Sequence, residues 1–120
     1  MLGHVSDEEL VDLLSAGACL LFPSLYEGFG LPALEAMACG GPVVAYRNSS
    51  LPEVVGEAGR LVRNRDSEAL GRAAAELVLD PPRRAEMIRM GLAQARQFSW
   101  KETARRTIKG YRALVEIIAP

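Results

Sequence analysis

The sequence predicts an α/β fold, a partial doubly wound parallel sheet of about three strands flanked by helices. Residues 19–22 and 42–46 are continuous apolar runs, and the lack of polar alternation indicates strands that are buried on both faces. A third, shorter strand is expected at residues 60–63. Helical patterns separate these runs, and such alternation requires parallel strands joined by crossover helices. Three short strands are about half of the usual number for this fold class, which indicates either an unusually small sheet or a piece of a larger one.

Capping signals and glycines set the bounds of the first two helices. Ser6 and Glu9 form a capping box, apolar residues follow at helical spacing and a glycine ends the pattern, which predicts a helix over residues 6–16. A second helix is expected to begin near Leu31, because Pro32 suits a first helical turn, and to stop at Gly40 and Gly41.

The remainder of the chain is expected to be helical. Apolar residues repeat at intervals of three and four over residues 70–78 and again over residues 85–95, with two prolines between the two patterns. Ser99 and Glu102 form another capping box, which opens a last helix with an apolar side. The stretch between residues 47 and 59 is rich in turn residues.

Composition narrows the possible functions. The 120 residues are 49% hydrophobic and 24% charged, which suits one soluble globular domain over residues 1–120. Fourteen basic residues against fifteen acidic ones give a net charge of -1, so nucleic acid is not an expected partner. The longest apolar run, residues 16–23, is too short to span a bilayer, and the first twelve residues lack the features of a secretory signal, so we expect a cytoplasmic location.

Residues 26–35 are the segment where a ligand is expected, because they follow the carboxyl end of the first strand and enter the next helix. Gly28 and Gly30 allow backbone conformations and close approaches that a side chain would forbid. The first turn of the helix presents unpaired N–H groups at the same place, a geometry that binds anions and phosphate above all. Glycines before a helix also occur in plain turns, so this alternative stays open.

Glu27 and Glu35 lie on either side of this loop, with seven residues between them. The first is expected in the loop and the second about one turn into the helix, so that both reach one pocket. A carboxylate can accept hydrogen bonds from two neighbouring hydroxyl groups, such as those of a ribose or a sugar ring. The alternative is that Glu35 complements the positive end of the helix and Glu27 is simply solvated.

Ser49, Ser50 and Glu53 follow the carboxyl end of the second strand, so they are expected near this pocket. The simpler expectation is that the serines cap the short turn over residues 51–55.

A few further residues are expected to have structural roles. Cys19 and Cys39 lie in apolar segments without metal or redox spacing and should be buried and reduced. Trp100 should be a buried aromatic under the last helix, and His4, the one histidine, a loop residue. Arg84 is expected on an exposed helix face, in contact with solvent.

The segment FPSLYEGFGLP at residues 22–32, which continues into EAMACG at residues 35–40, resembles the E-x7-E signature of the retaining GT-B glycosyltransferases, especially family 4. The resemblance extends from residue 2 to about residue 114. Flanking segments agree with it at residues 3–6, 42–45, 51–54 and 98–100. It implies that the chain corresponds to the second half of the Rossmann-like, carboxyl-terminal donor-binding domain of such an enzyme, truncated at its amino-terminal side.

The resemblance also implies an activity and a set of roles. Family members transfer a sugar from a nucleotide-diphosphate donor to an acceptor and retain the anomeric configuration. By analogy, Glu27 is the catalytic residue that contacts the transferring sugar, and Glu35 holds the ribose hydroxyls. No metal or cofactor is expected besides the donor itself. The sugar hydroxyls and the diphosphate would face the backbone N–H groups of Gly28, Phe29, Gly30 and Leu31.

The resemblance further implies that parts of the family's active site fall outside these 120 residues. An arginine and a lysine that neutralise the diphosphate in family members would lie before Met1, as would the acceptor domain. We therefore expect little turnover from the isolated chain, self-association through the uncovered edge of the strand at residues 19–22, and possible peripheral membrane association of a full-length parent.

Two other functions remain alternatives. The chain could be a stand-alone, non-catalytic module that binds a nucleotide sugar or serves regulation. A receiver-like or flavodoxin-like domain is disfavoured, because the only lysines, Lys101 and Lys109, fall in the last helix instead of at a strand end.

Overall fold

The computed structural model describes residues 2–118 of the chain. Its helices and strands overlap those predicted, and the turn-rich stretch additionally contains two short helices. In chain order the elements are α1 (Asp7–Ala16), β1 (Leu20–Phe22), α2 (Leu31–Ala38), β2 (Val43–Tyr46), α3 (Leu51–Val55), a 3-10 helix (Gly56–Ala58), β3 (Arg60–Val62), α4 (Ser67–Leu79), α5 (Pro81–Ala95) and α6 (Trp100–Ile118).

The described residues form one sheet of three parallel strands in the order β1-β2-β3. Leu21 pairs with Val44 across the first junction, and Ala45 pairs with Leu61 across the second. Consecutive strands are therefore neighbours, and the helices between them return the chain to the amino end of the sheet. The predicted fold class, a small parallel sheet flanked by helices, is confirmed.

β2 forms the centre of the core. All four of its residues are buried, and successive side chains point to opposite faces of the sheet. Val43 and Ala45 pack into a cluster with residues of α2, α3 and α5, whereas Val44 and Tyr46 pack into a second cluster with residues of α4. Helices therefore cover both faces of this strand, as the doubly wound architecture requires.

β1 is less buried than its apolar run predicts. It is an edge strand, and the side chain of Leu21 remains 46% exposed. Leu21 lies on the same face as its partner Val44, the face that α4 covers, but α4 packs mainly over β2 and β3. The expectation of a strand buried on both faces is therefore wrong for β1 and correct for β2.

Arg84 of α5 holds the turn between α1 and β1, instead of being solvated as expected. Its Nε donates to the carbonyl oxygen of Ala18 at 2.9 Å, and its Nη2 donates to the carbonyl oxygen of Gly17 at 3.0 Å. Cys19 follows directly; burial raises the pKa of its thiol, and the Arg84 charge partly offsets this rise. Both Cys19 and Cys39 are free and only half-buried, so full burial was an overestimate.

α6 extends from the body and leaves its apolar side in solvent. None of its described residues is buried, and Trp100 is 84% exposed, so the prediction of a buried tryptophan is wrong. The Ser99 hydroxyl accepts from the N–H of Glu102 at 3.1 Å, as a cap should. The Glu102 carboxylate binds Arg105 and Arg106 instead of closing the box, and the two guanidinium groups lower its pKa to about 2. Within residues 2–118, no helix has the length and apolarity to cross a membrane.

We predict that the β1 edge mediates self-association. Among residues 2–118, no strand pairs with the outer side of β1, where the half-exposed Leu21 also lies. The substitution Leu21→Lys should weaken association, because a charged side chain on an edge strand opposes pairing with another chain. Sedimentation velocity at high protein concentration measures the effect. Leu79→Lys, which replaces a more exposed leucine at the end of α4, is the control and should leave association unchanged. A purely monomeric wild-type chain, or an equal effect of the control, would contradict the prediction.

Candidate functional site

Two loops meet at the carboxyl edge of the sheet. The site loop, residues 23–30, follows β1, and the serine loop, residues 47–50, follows β2. Because β1 and β2 are parallel neighbours, both loops leave the sheet at the same edge, where ligands bind in open α/β sheets. The structure therefore places the predicted ligand segment where the sequence expected it.

Gly30 makes the sharp entry into α2. It is the N-cap residue, with a φ of 96° and a ψ of 42°, a left-handed conformation that side chains disfavour. A Cβ atom at this position would also lie 2.8 Å from Cδ2 of Leu51. Gly28 is different, because it has no positive φ and a Cβ atom there would meet nothing within 4 Å. The expected conformational demand on both glycines thus holds for Gly30 alone.

The start of α2 presents unpaired donors. Within the described residues, the N–H groups of residues 28–31 donate to no protein acceptor, whereas the N–H of Glu27 donates to Oγ of Ser49. Pro32, in the first turn, has no N–H to satisfy. The Gly30 carbonyl oxygen accepts from Ala33 and Leu34, so the helix begins immediately behind these donors. Such a group of N–H donors at a helix start favours an anion or a polar oxygen.

Glu27 and Glu35 both present carboxylates that are available to a ligand. Glu27 is half-buried in the site loop, and Glu35 is exposed one turn into α2. Neither side chain forms a hydrogen bond or an ion pair with another residue in the range 2–118. Both glutamates and the first turn of α2 belong to one continuous segment of the chain at the carboxyl edge of the sheet. No group of three or more His, Cys, Asp or Glu residues in the described part of the chain is arranged to hold a metal ion.

Comparison with known proteins identifies the family to which this chain belongs. The sequence profile described as "Glycosyl transferases group 1" matches residues 1–94, which include both loops and α2. The chain belongs to the group 1 glycosyl transferases. The GT-B resemblance of the sequence is thereby confirmed.

Individual relatives agree with this assignment. The chain is 46% identical over 113 residues to O-antigen chain mannosyltransferase B of Escherichia coli, covering 94% of this chain and 30% of the relative. It is 44% identical over 122 residues to MMP alpha-(1->4)-mannosyltransferase of Mycolicibacterium hassiacum, covering 96% of this chain and 29% of the relative. Among solved structures, sucrose-phosphate synthase from Thermosynechococcus elongatus superposes with a TM-score of 0.82 at 33% identity, covering 97% of this chain and 30% of that one. The chain thus spans about 30% of the length of each.

The serine loop of this glycosyl transferase chain contacts the site loop in a way that the sequence did not predict. Ser50 is the N-cap residue of α3 but forms no side-chain cap. Its hydroxyl instead donates toward the carbonyl oxygens of Phe29 at 2.7 Å and Glu27 at 3.1 Å. Asn48 Nδ2 donates to the carbonyl oxygen of Ser24 at 2.7 Å. The expectation that the serines cap the turn is therefore wrong, and their place near the ligand segment is correct.

Phe29 has a packing role besides the backbone role expected of it. Its ring meets the ring of Phe98 edge to face, with centroids 5.8 Å apart and an interplanar angle of 83°. Phe98 lies between α5 and α6, so this contact ties the site loop to the carboxyl-terminal helices. No periodicity around Phe98 could indicate this partner from the sequence.

We predict that Gly30→Ala destabilises this domain and that Gly28→Ala does not. The first substitution combines a left-handed φ with a clash at Leu51 and should lower the free energy of unfolding by about 1–3 kcal/mol. The second, in the same loop, meets neither obstacle and serves as the matched control. Urea denaturation of both variants measures the difference. Equal losses would show that the left-handed turn at Gly30 is not required.

Proposed function

We propose that this chain is the donor-binding part of a retaining glycosyl transferase, which moves a sugar from a nucleoside-diphosphate donor to an acceptor. The observation that supports it is the continuous stretch from Glu27 to Glu35, in which four N–H groups lie between two carboxylates, all without a partner among residues 2–118. A nucleotide sugar needs both kinds of group, since its diphosphate is an anion and its ribose and hexose are polyols.

Because of their charges, the carboxylates and the N–H groups are suited to different parts of the donor. A carboxylate repels a diphosphate but accepts hydrogen bonds from hydroxyl groups, so Glu27 and Glu35 are suited to the two sugars. The N–H groups of Gly28, Phe29, Gly30 and Leu31 lie at or just before the start of α2, beside the positive end of its dipole, and are suited to the diphosphate and to sugar oxygens. We assign the transferring sugar to Glu27, as the catalytic residue, and the ribose to Glu35, in line with the family motif.

The chain corresponds to only part of each relative, and this limits which catalytic groups it can supply. Because the chain covers about 30% of the relatives, we propose that these residues supply donor binding and that transfer also needs groups from the parts of the relatives that the chain does not match. Two relatives are named mannosyltransferases, so the donor panel should include a mannosyl nucleotide beside glucosyl ones. The proposed reaction needs no metal or cofactor besides the donor.

The ribose assignment predicts a specific loss for Glu35→Ala. In calorimetric titration of the chain, this variant should bind UDP, GDP or ADP roughly tenfold or more weakly, because a charged hydrogen bond to the diol is lost. The wild type should also prefer ribonucleotides over their 2′-deoxy forms, and the variant should lose that preference. Glu57→Ala, which removes an exposed carboxylate before β3 at the opposite edge of the sheet, is the control. A variant that keeps the ribose preference would exclude Glu35 from this role.

The sugar assignment predicts a different pattern for Glu27→Gln. This variant should bind the free nucleoside diphosphate as the wild type does, while its affinity for the nucleotide sugar falls roughly fivefold or more, because only the sugar contacts Glu27. The same titrations measure it, with the ratio of the two affinities as the readout. An equal loss for both ligands would place Glu27 on the nucleotide and contradict its assignment to the transferring sugar.

A further inference from the structure

The two polar backbone groups of Glu27 are held by two adjacent residues of the serine loop. Its N–H donates to Oγ of Ser49 at 2.9 Å, and its carbonyl oxygen lies 3.1 Å from Oγ of Ser50. These partners are 22 and 23 residues away in the sequence. The position of Glu27 therefore depends on the serine loop and not only on its own neighbours in the chain.

Ser50 also sets the direction of the N–H groups beside Glu27. Its hydroxyl carries one proton, which lies closer to the carbonyl oxygen of Phe29 at 2.7 Å than to that of Glu27. In a trans peptide the C=O and the N–H point in opposite directions, and the described residues contain no cis peptide bond. Because both carbonyl groups point at Ser50, the N–H groups of Gly28 and Gly30 point away from it, with no protein acceptor of their own within residues 2–118.

Ser49 acts as an acceptor because Asn48 fixes its hydroxyl group. The Ser49 hydroxyl donates to Oδ1 of Asn48 at 2.8 Å, which leaves a lone pair for the N–H of Glu27. Asn48 is oriented in turn, since its Nδ2 donates to the carbonyl oxygen of Ser24. Ser49 has a φ of 41°, a left-handed conformation that few non-glycine residues adopt and that is frequent at functional sites.

We propose that Asn48, Ser49 and Ser50 are positioning residues for the donor site. Ser50 turns the N–H groups of Gly28 and Gly30 toward the donor, and Ser49, held by Asn48, fixes the backbone from which the Glu27 carboxylate extends. The inference rests on the proposed function, because it gives these N–H groups a ligand to bind. It goes beyond that function in assigning roles to residues outside the Glu27–Glu35 motif.

The test uses hydroxyl removal and its conservative rescue at Ser50. Ser50→Ala should weaken nucleotide-sugar binding roughly three- to tenfold, because the two carbonyl groups are no longer held and the N–H groups lose their fixed direction. Ser50→Thr should restore the affinity, since the residue has a φ of −80° and a ψ of −16°, which a β-branched residue tolerates. Ser15→Ala, which removes an exposed hydroxyl that donates to Val11 on α1, is the control and should bind as the wild type does.

A second variant keeps the test independent of folding. Ser49→Gly removes the hydroxyl group but accepts a φ of 41° without strain, so the loop should keep its path. Amide hydrogen exchange at Glu27 should become several-fold faster in this variant, and nucleotide-sugar affinity should fall with it.

The outcomes separate the inference from the proposed function. If Ser50→Ala binds the nucleotide sugar as tightly as the wild type while Glu35→Ala binds it weakly, the positioning role is wrong and the donor site stands. If the Ser50→Ala loss is not restored by Ser50→Thr, the role is also wrong. If the wild-type chain binds no nucleotide sugar, both the proposed function and the inference built on it fail.

Discussion

The burial of β2 between two layers of helices is the constraint on which the rest of the structure depends. Its four side chains alternate between the α2, α3 and α5 cluster and the α4 cluster, so neither its register nor its direction can change without exposing the core. β1 lies parallel to it, which brings the site loop and the serine loop to one edge. The meeting of the two loops at one edge is therefore a consequence of how one central strand is packed.

In the proposed donor site, that edge combines two kinds of group, each suited to a different part of the donor. A carboxylate repels a diphosphate, whereas N–H groups at the start of a helix attract it. A short segment that carries both kinds of group in a fixed order can therefore orient an elongated donor. The left-handed Gly30 fixes the start of α2, and the hydrogen bonds from the serine loop fix the backbone before it. Both constraints act on the backbone, and the side chains of Glu27 and Glu35 remain available.

The sequence predicted the parts of the molecule that depend on local signals. The capping box at Ser6 and the apolar run of β2 gave elements that the structure contains, and the motif from Glu27 to Glu35 lies where expected. Features set by distant partners were missed. Trp100 is exposed because no other element of the described chain covers it, and the apolar pattern of α6 alone cannot indicate whether such an element exists. The Ser50 contact with Phe29 spans 21 residues, and a serine before a short helix is locally indistinguishable from an ordinary cap.

The most direct test of the central claim is a map of backbone amide shifts in the ¹⁵N-labelled chain during titration with UDP-glucose, GDP-mannose and ADP-glucose. The account predicts saturable shifts, for at least one of these donors, that are largest at residues 28–31 and extend to Glu35. Shifts confined to other parts of the chain, such as α6, or no shifts with any of the three, would contradict it.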